Sequence, residues 1–159
     1  MANTAKISIL MGSRSDAEVM KGASDILEEF GVPFEVRVLS AHRTPDETRD
    51  YVVNLEERGI EVVIAGAGFA AHLAGVVASH TVLPVIGVPL AGSALNGVDS
   101  LYSTVQMPGG IPVATMTIGK AGAKNAGLFA VQILSRRDPG LVAKLKDYRA
   151  EMRRQVLGS

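Results

Sequence analysis

Ile7-Ser8-Ile9-Leu10-Met11-Gly12-Ser13-Arg14-Ser15-Asp16-Ala17-Glu18 decides how the chain folds. Residues 7–11 form an apolar run of strand length that stops at a glycine. Ser15 and Glu18 then have the S-x-x-E spacing of a helix capping box. Val19, Met20, Ala23, Ile26, Leu27 and Phe30 follow at helical spacing, with Glu18, Lys21, Asp25, Glu28 and Glu29 on the opposite face. Gly31 suits the left-handed end of that helix. A buried strand passing straight into an amphipathic helix is the first half of a parallel β-α-β unit.

The same grammar continues outward. Residues 34–39 read as a second strand. Thr44-Pro45-Asp46-Glu47 supplies an N-cap, a proline at the first helical position and an acid three residues after the cap, so a helix is expected from there to Arg58, ended by Gly59. Further strands are expected at 62–65, 85–88 and 114–118. Helices are expected at 70–79, 98–106 and 123–134. A last helix over 138–157 carries Leu141, Leu145, Tyr148, Met152 and Val156 on one face. Strands alternating with helices imply a parallel sheet with right-handed crossovers, and strands apolar along their length imply that both faces are covered. Residues 1–159 read as a single α/β domain, without linker, solenoid repeat or low-complexity tract.

Charge is unevenly spread. Sixteen basic residues balance sixteen acidic ones, which argues against a nucleic-acid-binding surface as the main function. Between residues 62 and 134 only Asp99, Lys120 and Lys124 are charged, and eleven of the seventeen glycines fall there. A soluble monomer places charge throughout its surface. The stretch is therefore either membrane-embedded or covered by other protein. Gly66, Gly68, His72, His80, Pro84 and Pro89 cut it into pieces too short for a span of about 20 apolar residues. Met1–Lys6 carries no apolar signal-peptide core. A cytoplasmic oligomer is expected, without membrane attachment. The absence of cysteine excludes disulfides, thiolate metal sites and a cysteine nucleophile.

Ligands of an open α/β sheet bind outside the carboxyl ends of its strands, here the loops 12–15, 40–44, 66–69, 90–97 and 119–122. Gly12-Ser13-Arg14-Ser15-Asp16 offers two hydroxyls and a helix N-terminus suited to a phosphate. Asp16 would repel the phosphate but could accept hydrogen bonds from ribose hydroxyls; the alternative is that Ser15 and Asp16 only cap the helix. In Ser40-Ala41-His42-Arg43-Thr44, His42 supplies an imidazole, the side-chain type suited to proton exchange near neutral pH, and Arg43 can hold a phosphate bidentately; the alternative is a solvated loop.

Gly66-Ala67-Gly68-Phe69-Ala70-Ala71 fits G-x-G-x-x-A, yet Val88 and Pro89 stand where a dinucleotide site needs its ribose-binding acid. Those glycines read instead as allowing close approach of a ligand or a neighbour. His72 either caps or lines the following helix or is structural, and His80 reads as structural. No P-loop, no G-x-S-x-G elbow and no metal-ligand spacing occurs. The cation-rich end, from Arg136 to Arg154, reads as a solvated helix face.

Several motifs coincide with one family. Met11-Gly-Ser-Arg-Ser-Asp16, Ser40-Ala-His-Arg-Thr-Pro-Asp46, Ala65-Gly-Ala-Gly68, Ala70-Ala-His-Leu73, Leu83-Pro-Val-Ile-Gly-Val-Pro89, Asp99-Ser-Leu101, Gln106-Met-Pro-Gly-Gly-Ile-Pro-Val113 and Lys124-Asn-Ala-Gly127 closely resemble the N5-carboxyaminoimidazole ribonucleotide mutases of purine biosynthesis. The resemblance runs in register from about Lys6 to Leu134. It implies a three-layer α/β/α sandwich of flavodoxin/Rossmann-like type, assembled as a homo-octamer. It also implies an isomerase that moves the carboxylate of the substrate from the exocyclic nitrogen to C4, without metal or organic cofactor. His42 matches the family's catalytic histidine, and Ser13, Asp16 and Arg43 match its ligand-binding residues, with phosphate or ribose roles. Ser15 belongs to the same phosphate-binding loop. Ser40, Ala41, Gly68, Ala70, His72 and Leu73 line the site in the family pattern.

Two positions depart from that pattern: Phe69 stands where the family usually has glycine, and Ala74 where it usually has proline. Both are expected in the loop that closes over the imidazole and CO2. Metazoan-type relatives, which carboxylate aminoimidazole ribonucleotide directly with CO2, differ in this same loop. Arg43 and the intact Ala70-Ala71-His72-Leu73 favour the mutase. The alternatives are direct carboxylation by CO2, and a nucleotide-binding module without catalysis.

Overall fold

A computed structural model describes residues 4–158, so Met1, Ala2 and Asn3 of the N-terminal reading lie outside it. Five strands run parallel: β1 (Ile7–Met11), β2 (Phe34–Val38), β3 (Val62–Gly68), β4 (Val85–Leu90) and β5 (Ala114–Thr115). Their order in the sheet is β2-β1-β3-β4-β5. The helices are α1 (Ala17–Phe30), α2 (Pro45–Val53), α3 (Leu73–His80), α4 (Val98–Val105), α5 (Lys120–Leu134) and α6 (Pro139–Leu157).

Side chains alternate across a strand, so each strand feeds two cores. Ile7, Ile9 and Met11 join Val62, Ile64, Ile86 and Val88 under α1 and α5, with Leu141 of α6 at the margin. Leu10, Val63, Ala65 and Val85 face the other way, onto Val52 of α2 and Leu73, Ala74 and Val77 of α3. The chain therefore forms the expected layered α/β architecture, with a parallel sheet between helices.

Local readings were corrected at several element ends. The capping box lies at Ser13 and Asp16 rather than Ser15 and Glu18. The Ser13 backbone N–H donates to Asp16 Oδ2 at 3.0 Å, and Ser13 Oγ accepts from the Ser15 N–H at 3.3 Å. A single 3-10 turn, Arg14–Asp16, precedes α1 and starts the coil early, which frees Glu18 to pair with Lys120. Thr44 does not cap α2: its Oγ1 accepts from the Ser40 N–H and donates to the Ser40 carbonyl, knitting the loop instead.

Helix α2 stops at Val53, not Arg58; Asn54 Nδ2 turns back to the Asp50 carbonyl, and the chain turns on to Gly59 at φ 82°. Strands β3 and β4 run further than expected, so Gly66 and Gly68 belong to β3 itself. Helix α3 starts at Leu73 rather than 70, because residues 69–72 are spent on a loop, and α5 starts at Lys120 rather than 123. β5 is reduced to two residues, although the Met116 and Gly119 N–H groups still reach the β4 carbonyls of Gly87 and Pro89. Among the described residues, no helix is long and apolar enough to cross a membrane.

Candidate active site

The chain leaves β1 toward β2 on one side of the sheet and returns to β3 on the other. The carboxyl ends of β1 and β3 thus border a crevice, where ligands of such sheets bind. A cavity of about 670 Å³ opens there. Its wall combines the 12–16 turn after β1, Ser40, His42 and Arg43 after β2, Gly68, Phe69 and Ala70 at the end of β3, and Leu90, Ala91 and Gly92 after β4.

The cavity lining combines two chemistries. Arg43 Nη2 donates to the Gly12 carbonyl at 2.7 Å, and the Arg43 backbone N–H donates to Ser40 Oγ at 3.2 Å. These bonds draw the second loop onto the first and set a fixed cation beside the Ser13 and Ser15 hydroxyls. Burial pushes the Asp16 carboxyl above its ordinary value, against the lowering effects of the Ser13 N–H and the Arg43 cation. Phe69, Ala70, Leu90, Ala91 and Gly92 of the same lining are apolar or small.

His42 and His72 meet edge to face: Nε2 of His42 lies 2.7 Å from Nδ1 of His72, with ring centroids 4.8 Å apart. One nitrogen donates and the other accepts, so the contact holds a single shared proton. With Nε2 engaged, His42 keeps Nδ1 for any further proton exchange.

Of the residues singled out in the sequence, Ser13, Ser15, Asp16, Ser40, His42, Arg43, Gly68 and Ala70 line this one cavity. His72 reaches it through His42. Ala41 packs against the α2–α3 core instead, and Leu73 is buried in that core as the first residue of α3. Ala74 was expected in the loop with Phe69; it lies inside α3, 3% exposed. Val19, read from the sequence only as part of the apolar face of α1, also lines the cavity, as do residues 90–92, which the sequence marks only through the position of their loop at a strand's carboxyl end. His80, as read, is only the last residue of α3. Among the described residues no group of His, Asp or Glu is arranged to hold a metal ion.

Residues 6–155 match the family described as AIR carboxylase. The chain belongs to the AIR carboxylase family. It is 59% identical over 96% of its length to the N5-carboxyaminoimidazole ribonucleotide mutase of Thermotoga maritima, covering 88% of that protein. It is 60% identical over 96% of its length to the mutase of Bacillus subtilis, covering 94% of it. Among solved structures, Treponema denticola PurE superposes with a TM-score of 0.86 at 28% identity, over 96% of this chain and 94% of that one. These matches span nearly the whole chain, so the fold is shared with the family over its full length.

Proposed function

We propose that this protein is an isomerase of purine biosynthesis, moving the carboxylate of N5-carboxyaminoimidazole ribonucleotide from the exocyclic nitrogen to C4. One observation carries the reading. His42, paired with His72, shares a cavity with Ser13, Asp16 and Arg43 in a chain about 60% identical to mutases of that name. The phosphate is assigned to Arg43 and the Ser13 and Ser15 hydroxyls, where cation and helix N-terminus both favour an anion. The ribose hydroxyls donate to the Asp16 carboxylate. The base lies toward His42 and the apolar part of the lining.

The chemistry needs one proton moved twice. The N–CO2 bond breaks, its electron pair stays on nitrogen, and protonated His42 supplies a proton there. C4, made electron-rich by the amino group, attacks the freed CO2 and forms the new C–C bond. Neutral His42 then removes the C4 proton, restoring the aromatic ring and its own starting state. No redox partner or external carboxyl donor enters this balance. Apolar walls that exclude water keep the neutral CO2 beside C4.

The proposal extends to the assembly: a single domain over residues 1–159 forming a cytoplasmic homo-octamer. Its support is the exposed apolar surface of the lone chain. Tyr102 and Val105 are exposed and Phe129 is partly exposed within the nearly uncharged middle, and Val156, expected on the apolar face of α6, is 85% exposed. Monomers do not commonly leave so much apolar surface uncovered.

The test supplies each substrate separately and follows 4-carboxy-5-aminoimidazole ribonucleotide. Turnover of N5-carboxyaminoimidazole ribonucleotide without added CO2 is expected. Turnover only of aminoimidazole ribonucleotide with CO2 would replace the mutase with a direct carboxylase. Binding without turnover would leave a nucleotide-binding module.

A further inference from the structure

Phe69 holds an unusual backbone conformation, with φ at 55°; among the described residues only Asn96 shares a positive φ without being glycine. There an L side chain crowds its own carbonyl, and large aromatic residues seldom accept it. Such a conformation persists where packing imposes it or function uses it. Core packing does not impose it here, since the side chain is 61% exposed and belongs to neither core. Its contacts lie across the cavity mouth. The ring reaches from the end of β3 to the loop after β4, where Cε2 comes within 3.4 Å of the place a Cβ on Gly92 would take. Gly92 thus offers the ring a flat seat. Together with Ala70, Leu90 and Ala91 the ring supplies the apolar part of a cavity whose polar part includes Arg43 and Asp16.

We propose that Phe69 is the specificity- and retention-determining wall of this site. Its exposed face receives the flat five-membered ring of the substrate, and its span to Gly92 blocks the path by which released CO2 would escape. The inference rests on the mutase reading and adds to it a role for Phe69. A stacked aromatic gains from covering a ring of matching size. Neutral, apolar CO2 offers charged groups little hold, so an added apolar wall slows its escape. Leakage has a defined product: the N–CO2 bond breaks, nitrogen takes the proton, CO2 departs, and aminoimidazole ribonucleotide is left behind.

The test compares wild type, Phe69→Gly and Phe69→Tyr. Glycine accepts the observed φ, so Phe69→Gly is expected to fold with an unchanged or raised melting midpoint. Its KM for N5-carboxyaminoimidazole ribonucleotide should rise by about tenfold, as expected for loss of a base-stacking contact, with a much smaller change in kcat. With substrate labelled in the carboxylate, it should lose more label to solution and accumulate aminoimidazole ribonucleotide. Phe69→Tyr should restore both KM and retention. Equal KM and equal label retention in wild type and Phe69→Gly would overturn the inference. Calorimetric binding of aminoimidazole ribonucleotide separates the two readings. If wild type binds but does not turn over, the mutase reading fails. If Phe69→Gly binds as tightly as wild type, the stacking wall fails on its own account.

Discussion

His42 Nε2 and His72 Nδ1 share one hydrogen bond of 2.7 Å between the loop after β2 and the loop before α3. That contact engages Nε2 of His42, and in the proposed mechanism Nδ1 is the nitrogen that trades a proton with substrate. His42→Asn keeps a polar side chain of similar reach but cannot shuttle a proton. Its kcat should fall by about 10²–10⁴-fold, the usual range for general acid–base catalysis, while the dissociation constant for aminoimidazole ribonucleotide stays close to that of wild type. His72→Asn should cost less in kcat and should alter its pH profile, since the His42 ring loses the neighbour that shares its proton. Normal turnover by His42→Asn would remove His42 from the mechanism.

Arg43 is held by the Gly12 carbonyl and Ser40 Oγ before any ligand arrives. A charge-assisted bond to a phosphate is worth about 1.5–3 kcal/mol, so Arg43→Ala should raise KM by roughly 10- to 100-fold. Arg43→Lys should recover only part of this, because an ammonium cannot bind the Gly12 carbonyl and a phosphate in the same fork. Steady-state kinetics against substrate concentration, at two salt concentrations, measures both effects.

Much of this architecture was legible because both faces of the sheet are covered. Ile7 and Ile9 serve one core and Leu10 the other, so β1 is apolar throughout and stands out as a buried strand. The carboxyl-end rule then places loops 12–16 and 40–44 side by side. What escaped depends on choices between equivalent local signals or on distant contacts. Ser13–Asp16 and Ser15–Glu18 both fit a capping box, and only the 3-10 turn selects the first. The His42–His72 bond joins residues 30 apart through the strand order, which residue spacing does not reveal. Leu73 belongs to a site motif in sequence, yet helical geometry turns it into the core. Phe69 was visible as a departure, but its seat over Gly92 depends on where β4 ends.

Asp16 gives a pH test of the ribose contact. Burial raises its folded-state pKa above the ordinary value of 3.8, so the folded state holds the proton more tightly than the unfolded one. Stability from this group therefore falls as pH rises through the window above 3.8, and the cost is complete at neutral pH. Asp16→Asn keeps an acceptor for the Ser13 N–H and removes the half-buried charge. Its melting midpoint at pH 7 should equal or exceed that of wild type, with the two converging near pH 3. Its KM should nonetheless rise, because an amide is a weaker acceptor for ribose hydroxyls. A fall in both stability and affinity at pH 7 would show that Asp16 serves mainly as a structural cap.

Glu35 predicts the opposite pH behaviour, away from the cavity. Ser8, fully buried beneath α2, bonds Tyr51 Oη at 2.7 Å, and Tyr51 donates on to Glu35 Oε1. Arg58 Nη2 grips both Glu35 oxygens at 2.6 and 2.5 Å. Partial burial of Glu35 acts to raise its pKa, but the bonds from Tyr51 and Arg58 outweigh it and hold the carboxyl below its ordinary value of 4.5. A lowered pKa means that the stabilisation is complete above the unfolded value and is lost as pH falls through the folded one. Glu35→Gln should therefore lose about 1.5–3 kcal/mol of unfolding free energy at pH 7, the range for hydrogen bonds to a charged group. The difference from wild type should shrink as pH drops below 4.5. Because Glu35 does not line the cavity, kcat and KM should be unchanged. Urea unfolding at pH 7 and pH 3.5, paired with an activity assay, checks the sign, the size and the independence from catalysis together.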